Sequence, residues 1–246
     1  MELSKLYSEY KIYPQNAFHT GTPVRVFQDM LPDNYFSKDI NAFLEYHNYK
    51  ATKRGADLPW WGEKYFICGN DKKYMIVSRD SLSPNAGSVV FYAHLMQQIK
   101  SRQEYEHYCG KLDMFYQKFK FGSWLNVLKT LTEWKIDLDN LFITDASKVY
   151  MEESDKKFDK IKSKELLIRE IKLCSPDILI LLGDIPFNLL SKDYTFAEVV
   201  DNARLLEIEG IKTVVSPFPT GLGRTRKDFR PRMNKTTALI HSLCSS

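Results

Sequence analysis

Residues 74–88 read YMIVSRDSLSPNAGS, and the interpretation of this stretch decides the fold. Met75-Ile76-Val77 is a short apolar run bounded by polar residues and turn formers, the pattern of a strand buried on both faces in a parallel sheet. The strand ends at Ser78-Arg79-Asp80, because Ser83-Pro84-Asn85-Ala86-Gly87 is turn chemistry. Ligands of open α/β sheets bind beyond the carboxyl ends of the strands. Asp80 therefore has two readings, a catalytic carboxylate or an ordinary turn or N-cap aspartate before a helix that starts near Ser88.

Working outward, the same strand pattern recurs three times. Leu141-Phe142-Ile143-Thr144 runs into Asp145-Ala146-Ser147-Lys148, Asp177 to Leu182 (DILILL) stops at Gly183-Asp184, and Lys212 to Ser216 enters Pro217-Phe218-Pro219-Thr220-Gly221. Helical spacing falls between them. Helices are expected over Ser37 to Tyr49, Val89 to Lys100 and Glu104 to Phe119, and from Ser123 through Trp134. Others are expected over Ser163 to Cys174, Phe187 to Leu190 and about Asn234 to Cys244. Tyr65 to Cys68 is a candidate extra strand, paired with Tyr74 to Ser78 across Gly69-Asn70-Asp71. Trp60-Trp61 reads as core. Alternation of strand and helix points to a parallel sheet covered on both faces.

The 246 residues, 43% of them hydrophobic, suffice for one α/β domain with a full core. Residues 1–60 read as an N-terminal extension packed on it. Cys68, Cys109, Cys174 and Cys244 are dispersed, so no zinc site, iron–sulfur site or disulfide framework is indicated. No organic cofactor is expected either, since neither GxGxxG nor GxxxxGK[ST] occurs. No apolar run approaches the roughly 18 residues of a membrane span, and the start MELSKLYSEY lacks a secretory pattern. The expectation is an intracellular, cytoplasmic, prokaryotic-like monomer. The net charge is only +4, yet Arg224, Arg226, Lys227, Arg230 and Arg232 fall within nine residues. Such a cluster is either a solvated loop or a phosphate-contacting one.

Taken together, the four strand ends resemble the uracil-DNA glycosylase superfamily over roughly residues 62–240. VSRDSLSPNAGS occupies the place of the family's GQDPYHGPGQ or GEAPG motif, with Asp80 on the catalytic aspartate. Thr144-Asp145-Ala146-Ser147-Lys148 keeps the layout of the family's Thr-Asn and lysine. Ser175-Pro176-Asp177 to Gly183 matches a proline, apolar run and Leu-Gly. Phe218-Pro219-Thr220-Gly221-Leu222 looks like the HPSPL loop.

The resemblance implies a three-layer α/β/α sandwich with a central, mostly parallel, four- to five-stranded sheet. It also implies a monofunctional DNA glycosylase that flips a base out of double- or single-stranded DNA and hydrolyses its N-glycosidic bond. In that setting Asp80 stabilises the oxocarbenium-like sugar and orients water, while the backbone N–H groups of Arg79 and Asp80 hold the base O2. Phe91, or Tyr92 next to it, stacks on the base. Leu222 fills the gap in the stack, and Thr220, Arg224, Arg226, Lys227, Arg230 and Lys148 contact DNA.

Three departures from the family pattern bear on the target. Asp145 stands where the family has a base-reading asparagine. An ionised aspartate only accepts hydrogen bonds, so it suits the N4 amino group of cytosine and repels uracil O4. Two other readings of Asp145 remain, a protonated carboxyl or a structural ion pair with Lys148. Ser81-Leu82 replaces the Pro-Tyr pair that closes the uracil pocket, and Leu82 leaves room for a substituent at C5. The expected base is thus a C5-modified cytosine, such as the hydroxymethyl or glucosylated cytosine of phage DNA, because excision of plain cytosine would destroy the host genome. Finally, Phe218 replaces the histidine that stabilises the leaving base. Uracil or another deaminated base in repair is the second expectation, and a DNA-binding protein of this fold without catalysis the third.

Overall fold

The computed structural model of the chain describes residues 60–62, 64–66, 69–79, 101–104, 121–147, 160–220 and 222–244. The chain divides into two compact units. One comprises residues 1–60, 80–120 and 147–173, and the other residues 61–79, 121–146 and 174–246.

In the second unit lies an α/β fold built on a mostly parallel sheet. Its strands are β1 (Trp60–Trp61, which begins at the unit boundary), β2 (Tyr74–Ser78), β3 (Leu141–Asp145), β4 (Ile178–Leu182), β5 (Leu206–Ile208) and β6 (Ile211–Ser216). The strand order is β1-β3-β2-β4-β6-β5. β2 runs parallel to both β3 and β4, and β4 runs parallel to β6. These four are the strands that the apolar runs specify. Every residue of β3 and β4 is buried, which is why both read as unbroken apolar runs rather than alternating ones.

Helices α1 (Phe121–Glu133), α3 (Asp184–Leu190), α4 (Phe196–Asp201) and α5 (Phe229–Cys244) belong to the same unit. α3 packs on β4 and β2, while α4 and α5 pack on β6 and on each other. α1 closes with Lys135 at φ 56, Ile136 N–H donating to Leu131 O and Lys135 N–H to Thr132 O, a Schellman ending. α4 opens with a capping box, in which Thr195 and Glu198 exchange hydrogen bonds between side chain and backbone.

Several expectations change. Tyr65 and Phe66 form a turn rather than a strand, because both edges of β2 are already occupied by β3 and β4. Ile67 and Cys68 lie outside the described residues. β1 lies instead at Trp60–Trp61, outside β3, where Trp61 stacks on Phe142 with ring centroids 5.7 Å apart. Gly62 follows because a Cβ there would stand 2.1 Å from Leu138 O.

β5 is an antiparallel edge strand joined to β6 by Glu209-Gly210. Both residues have positive φ (51° and 79°), as a two-residue type I′ hairpin requires. α5 starts at Phe229, five residues before its expected start. Pro231 is harmless there, since a first-turn N–H has no intrahelical partner.

In the first unit, α2 (Lys160–Cys174) begins three residues before Ser163, which is buried inside the helix and does not open it. Its Leu166, Leu167 and Ile171 are buried on one face. Ser101 and Glu104 form a second capping box, at residues 102–104 of the helix expected from Glu104. The helices expected over 37–49 and 89–100, and the remainder of that over 104–119, lie outside the described residues.

Candidate functional site at the carboxyl edge of the sheet

Among the four parallel strands the spatial order is second, first, third, fourth (β3-β2-β4-β6). The chain leaves β2 toward one side and returns on the other. In doubly wound sheets of this order the crossovers diverge between the first and third strands, and a crevice opens at their carboxyl ends. Here that point lies between β2 and β4.

The pairing register agrees. The β2–β4 register ends at Val77–Leu181, whereas β2 and β3 stay paired through Ser78–Asp145 and β4 and β6 through Leu182–Ser216. The flanking seams run still further, with Ala146 N–H donating to Ser78 O at 2.8 Å and Gly183 N–H to Ser216 O at 2.8 Å. The central seam therefore parts before its neighbours.

Four side chains or backbone features line these strand ends. Asp145 closes β3, is 1% exposed, and accepts a hydrogen bond from the Ser78 hydroxyl at Oδ1. The two face each other because their strands are in register. Arg79 leaves β2 half-buried. Gly183 leaves β4 at φ 89 and ψ −179, a region open only to glycine, and turns the chain into α3. Phe218 leaves β6 exposed (38%), between the buried Pro217 and Pro219. A Cβ placed on Gly183 would lie 3.9 Å from the Cβ of Phe218, so the two strand ends are neighbours.

After this edge the chain forms a 3₁₀ turn, Leu222–Thr225, and enters α5. Arg224, Arg226, Lys227 and Arg230 are all exposed, and no described acidic group pairs with them. The Arg224 guanidinium lies 5.8 Å from the Phe229 ring centroid. Arg232 is different. It donates to both carboxylate oxygens of Asp201 (2.7 and 2.9 Å) and pairs with Asp228 at 2.6 Å, so it clamps α5 to α4. The Asp201 contact holds the guanidinium above its ordinary range and the Asp201 carboxyl below its own. Arg232 thus leaves the basic cluster, and four cations remain facing solvent.

Thr220 is buried (7% exposed). Asp80, Leu82, Phe91, Tyr92 and Lys148 lie outside the described residues, as does the side chain of Leu222. Asp145, Arg79 and Phe218 are brought to one edge of one sheet. Ser78 joins them: the sequence marks it as the end of the strand but assigns its hydroxyl no role. That role becomes visible only when the ends of β2 and β3 are aligned. Among the described residues no group of three or more His, Cys, Asp or Glu is placed to hold a metal ion. No described helix is long and apolar enough to cross a membrane. No protein-family model matches the sequence, and no curated protein matches it.

Proposed function

We propose that the chain is a monofunctional DNA glycosylase of the uracil-DNA glycosylase type, a three-layer α/β/α sandwich, acting on a C5-modified cytosine. The observation that carries this reading is the Ser78–Asp145 pair at the carboxyl edge, one strand away from the β2–β4 divergence. A hydroxyl donating to Oδ1 satisfies part of a carboxylate that otherwise only accepts. A carboxylate so held is suited to accept from the N4 amino group of a flipped cytosine and to disfavour the O4 of uracil.

The chemistry requires three further contributions. As the N-glycosidic bond breaks, the sugar gains positive charge and the base gains negative charge. Asp80, one residue beyond Arg79, supplies a carboxylate for the sugar and orients a water toward C1′. That water loses a proton and its oxygen bonds to C1′, while the base leaves with the bonding pair and is protonated. The exposed cations of residues 224–230 hold the phosphates.

Phe218 supports a second reading. Its ring cannot donate a hydrogen bond to the leaving base, and loss of one such donor costs about 2.7–4 kcal/mol of barrier. A DNA-binding protein without base release is therefore the rival.

The test uses wild type and Asp80→Ala on duplexes carrying uracil, cytosine, 5-hydroxymethylcytosine or its glucosylated form, followed by alkaline cleavage at abasic sites. The expected result is cleavage only at a modified cytosine, falling about 10²–10⁴-fold in the variant. Cleavage at uracil moves the target to a deaminated base. Binding without cleavage of any duplex supports the rival.

A further inference from the structure

Exposure of Phe218 follows from its neighbours. A residue before proline is held extended, so Ser216 and Phe218 both stay extended, and the chain bends only at Pro219 and Thr220. In an extended segment successive side chains point to opposite sides. Pro217 and Pro219 are buried and Phe218 emerges, 38% exposed. Five large apolar side chains are conspicuously exposed among the described residues, and Phe218 is the one at the carboxyl edge of the parallel strands. The two prolines also restrict the backbone that carries it, so little freedom is lost when something stacks on the ring.

The same connection between β6 and α5 carries Arg224, Arg226, Lys227 and Arg230, exposed and unmatched by described acids. Arg224 stands six positions after Phe218, which limits the spacing of their Cα atoms to at most about 21 Å. Beside Phe218, Gly183 contributes no side chain, and its φ of 89 excludes most replacements. An aromatic ring beside a run of cations is the combination that binds single strands, with bases stacking on the ring and phosphates following the charge. Paired bases offer no face to such a ring.

We infer that the β6–α5 connection, Phe218 with Arg224, Arg226, Lys227 and Arg230, is a single-strand DNA binding surface on which Phe218 stacks an unpaired base. The preferred substrate is therefore DNA whose bases are already unpaired. This deepens the glycosylase reading and rests on it for the chemistry, but the binding itself requires no catalysis.

The experiment is fluorescence anisotropy with a labelled 12-nucleotide oligothymidylate and a duplex of equal length, over a salt series. The proteins are wild type, Phe218→Ala, Phe218→Leu, Phe218→Trp and Arg226→Ala. Wild type binds the single strand more tightly than the duplex. Phe218→Ala and Phe218→Leu weaken single-strand binding about 5- to 100-fold without changing its salt slope or the duplex affinity. Phe218→Trp retains it. Arg226→Ala lowers the salt slope by about 0.7. Full retention by Phe218→Leu, equal loss on both DNAs, or no binding of the single strand by wild type overturns the inference. Phe218-dependent binding with no abasic product from any substrate sinks the glycosylase reading alone. Abasic product with unchanged binding by Phe218→Ala sinks this inference alone.

Discussion

The two ends of the β2–β4 seam are built differently. At the amino end the strands are stitched together. Lys73 N–H donates to the Asp177 carboxylate at 2.8 Å, and the N–H groups of Asp177 and Ile178 return to Lys73 O at 2.9 and 3.2 Å. The Tyr74 hydroxyl meets Cys244 Sγ at 3.1 Å, and Lys72 Nζ donates to Leu243 O, which ties the end of α5 to the start of β2. At the carboxyl end the seam parts after Val77–Leu181, a glycine adopts a conformation closed to other residues, and an aromatic ring and four cations face solvent. At the amino end the polar groups are used on one another; at the carboxyl end Ser78 and Asp145 pair, while Phe218 and four cations face solvent. Side-chain substitutions at the carboxyl end should therefore change function, those at the amino end only stability, and Gly183 tests whether the turn at the carboxyl end belongs to function or to the fold.

The largest effect that would break this contrast is expected at Asp145. Asp145→Asn keeps the shape and exchanges an acceptor-only group for one that also donates. The ratio of kcat/KM on modified cytosine to that on uracil should fall about 5- to 150-fold, the worth of one well-placed base contact. An unchanged ratio would remove Asp145 from base reading and leave it a buried structural carboxylate. Gly183→Ala comes next. The alanine has room, since Phe218 Cβ is 3.9 Å away, but not the backbone freedom, so about 1–3 kcal/mol of stability should be lost in thermal unfolding. If Gly183 serves only the turn, activity per folded molecule stays constant. A fall in activity beyond the loss of folded protein would show that the turn also shapes the crevice.

How much of this was legible depended on whether the determining contact was local. β2, β3 and β4 were readable because burial on both faces forces an apolar run and β6 through its buried Val214-Val215, while the ends of β3, β4 and β6 were readable because Asp145, Gly183 and Pro217 interrupt the pattern. Two further elements carry local signals. Thr195-Phe196-Ala197-Glu198 spells the capping box that opens α4, and Glu209-Gly210 between short apolar stretches marks the β5–β6 turn. Other features had no local signal. Ser78 reaches Asp145 across 67 residues, and the bidentate contact that draws Arg232 out of the cluster comes from Asp201, 31 residues away, beside the local pair with Asp228. Sequence shows a basic cluster with Asp228 four residues before Arg232, and the packing of α5 on α4 is what brings Asp201 to that arginine.

The smallest effect concerns the amino end, where Tyr74 offers a test that should leave function untouched. Burial pushes the phenol pKa up from its ordinary value of 10, and the hydrogen bond with the Cys244 thiol raises it further. A raised folded pKa means that the neutral phenol is favoured by the fold. Its contribution is complete below about pH 10, the unfolded value, and declines as pH rises from there through the folded pKa. Denaturant unfolding followed from pH 8 to 11 should show stability falling on the alkaline side, with Tyr74→Phe flattening that fall. The phenylalanine keeps the ring packed at the start of β2 and removes only the hydroxyl, so stability near neutral pH should drop by about 1 kcal/mol or less. On the proposed reading, base release at neutral pH should match wild type, because the hydroxyl lies at the amino end of β2 and Ser78 at the carboxyl end of the same strand. A loss of activity in Tyr74→Phe without loss of folded protein would mean that the two ends of the seam are coupled through β2, and the separation of stability from function along this sheet would fail.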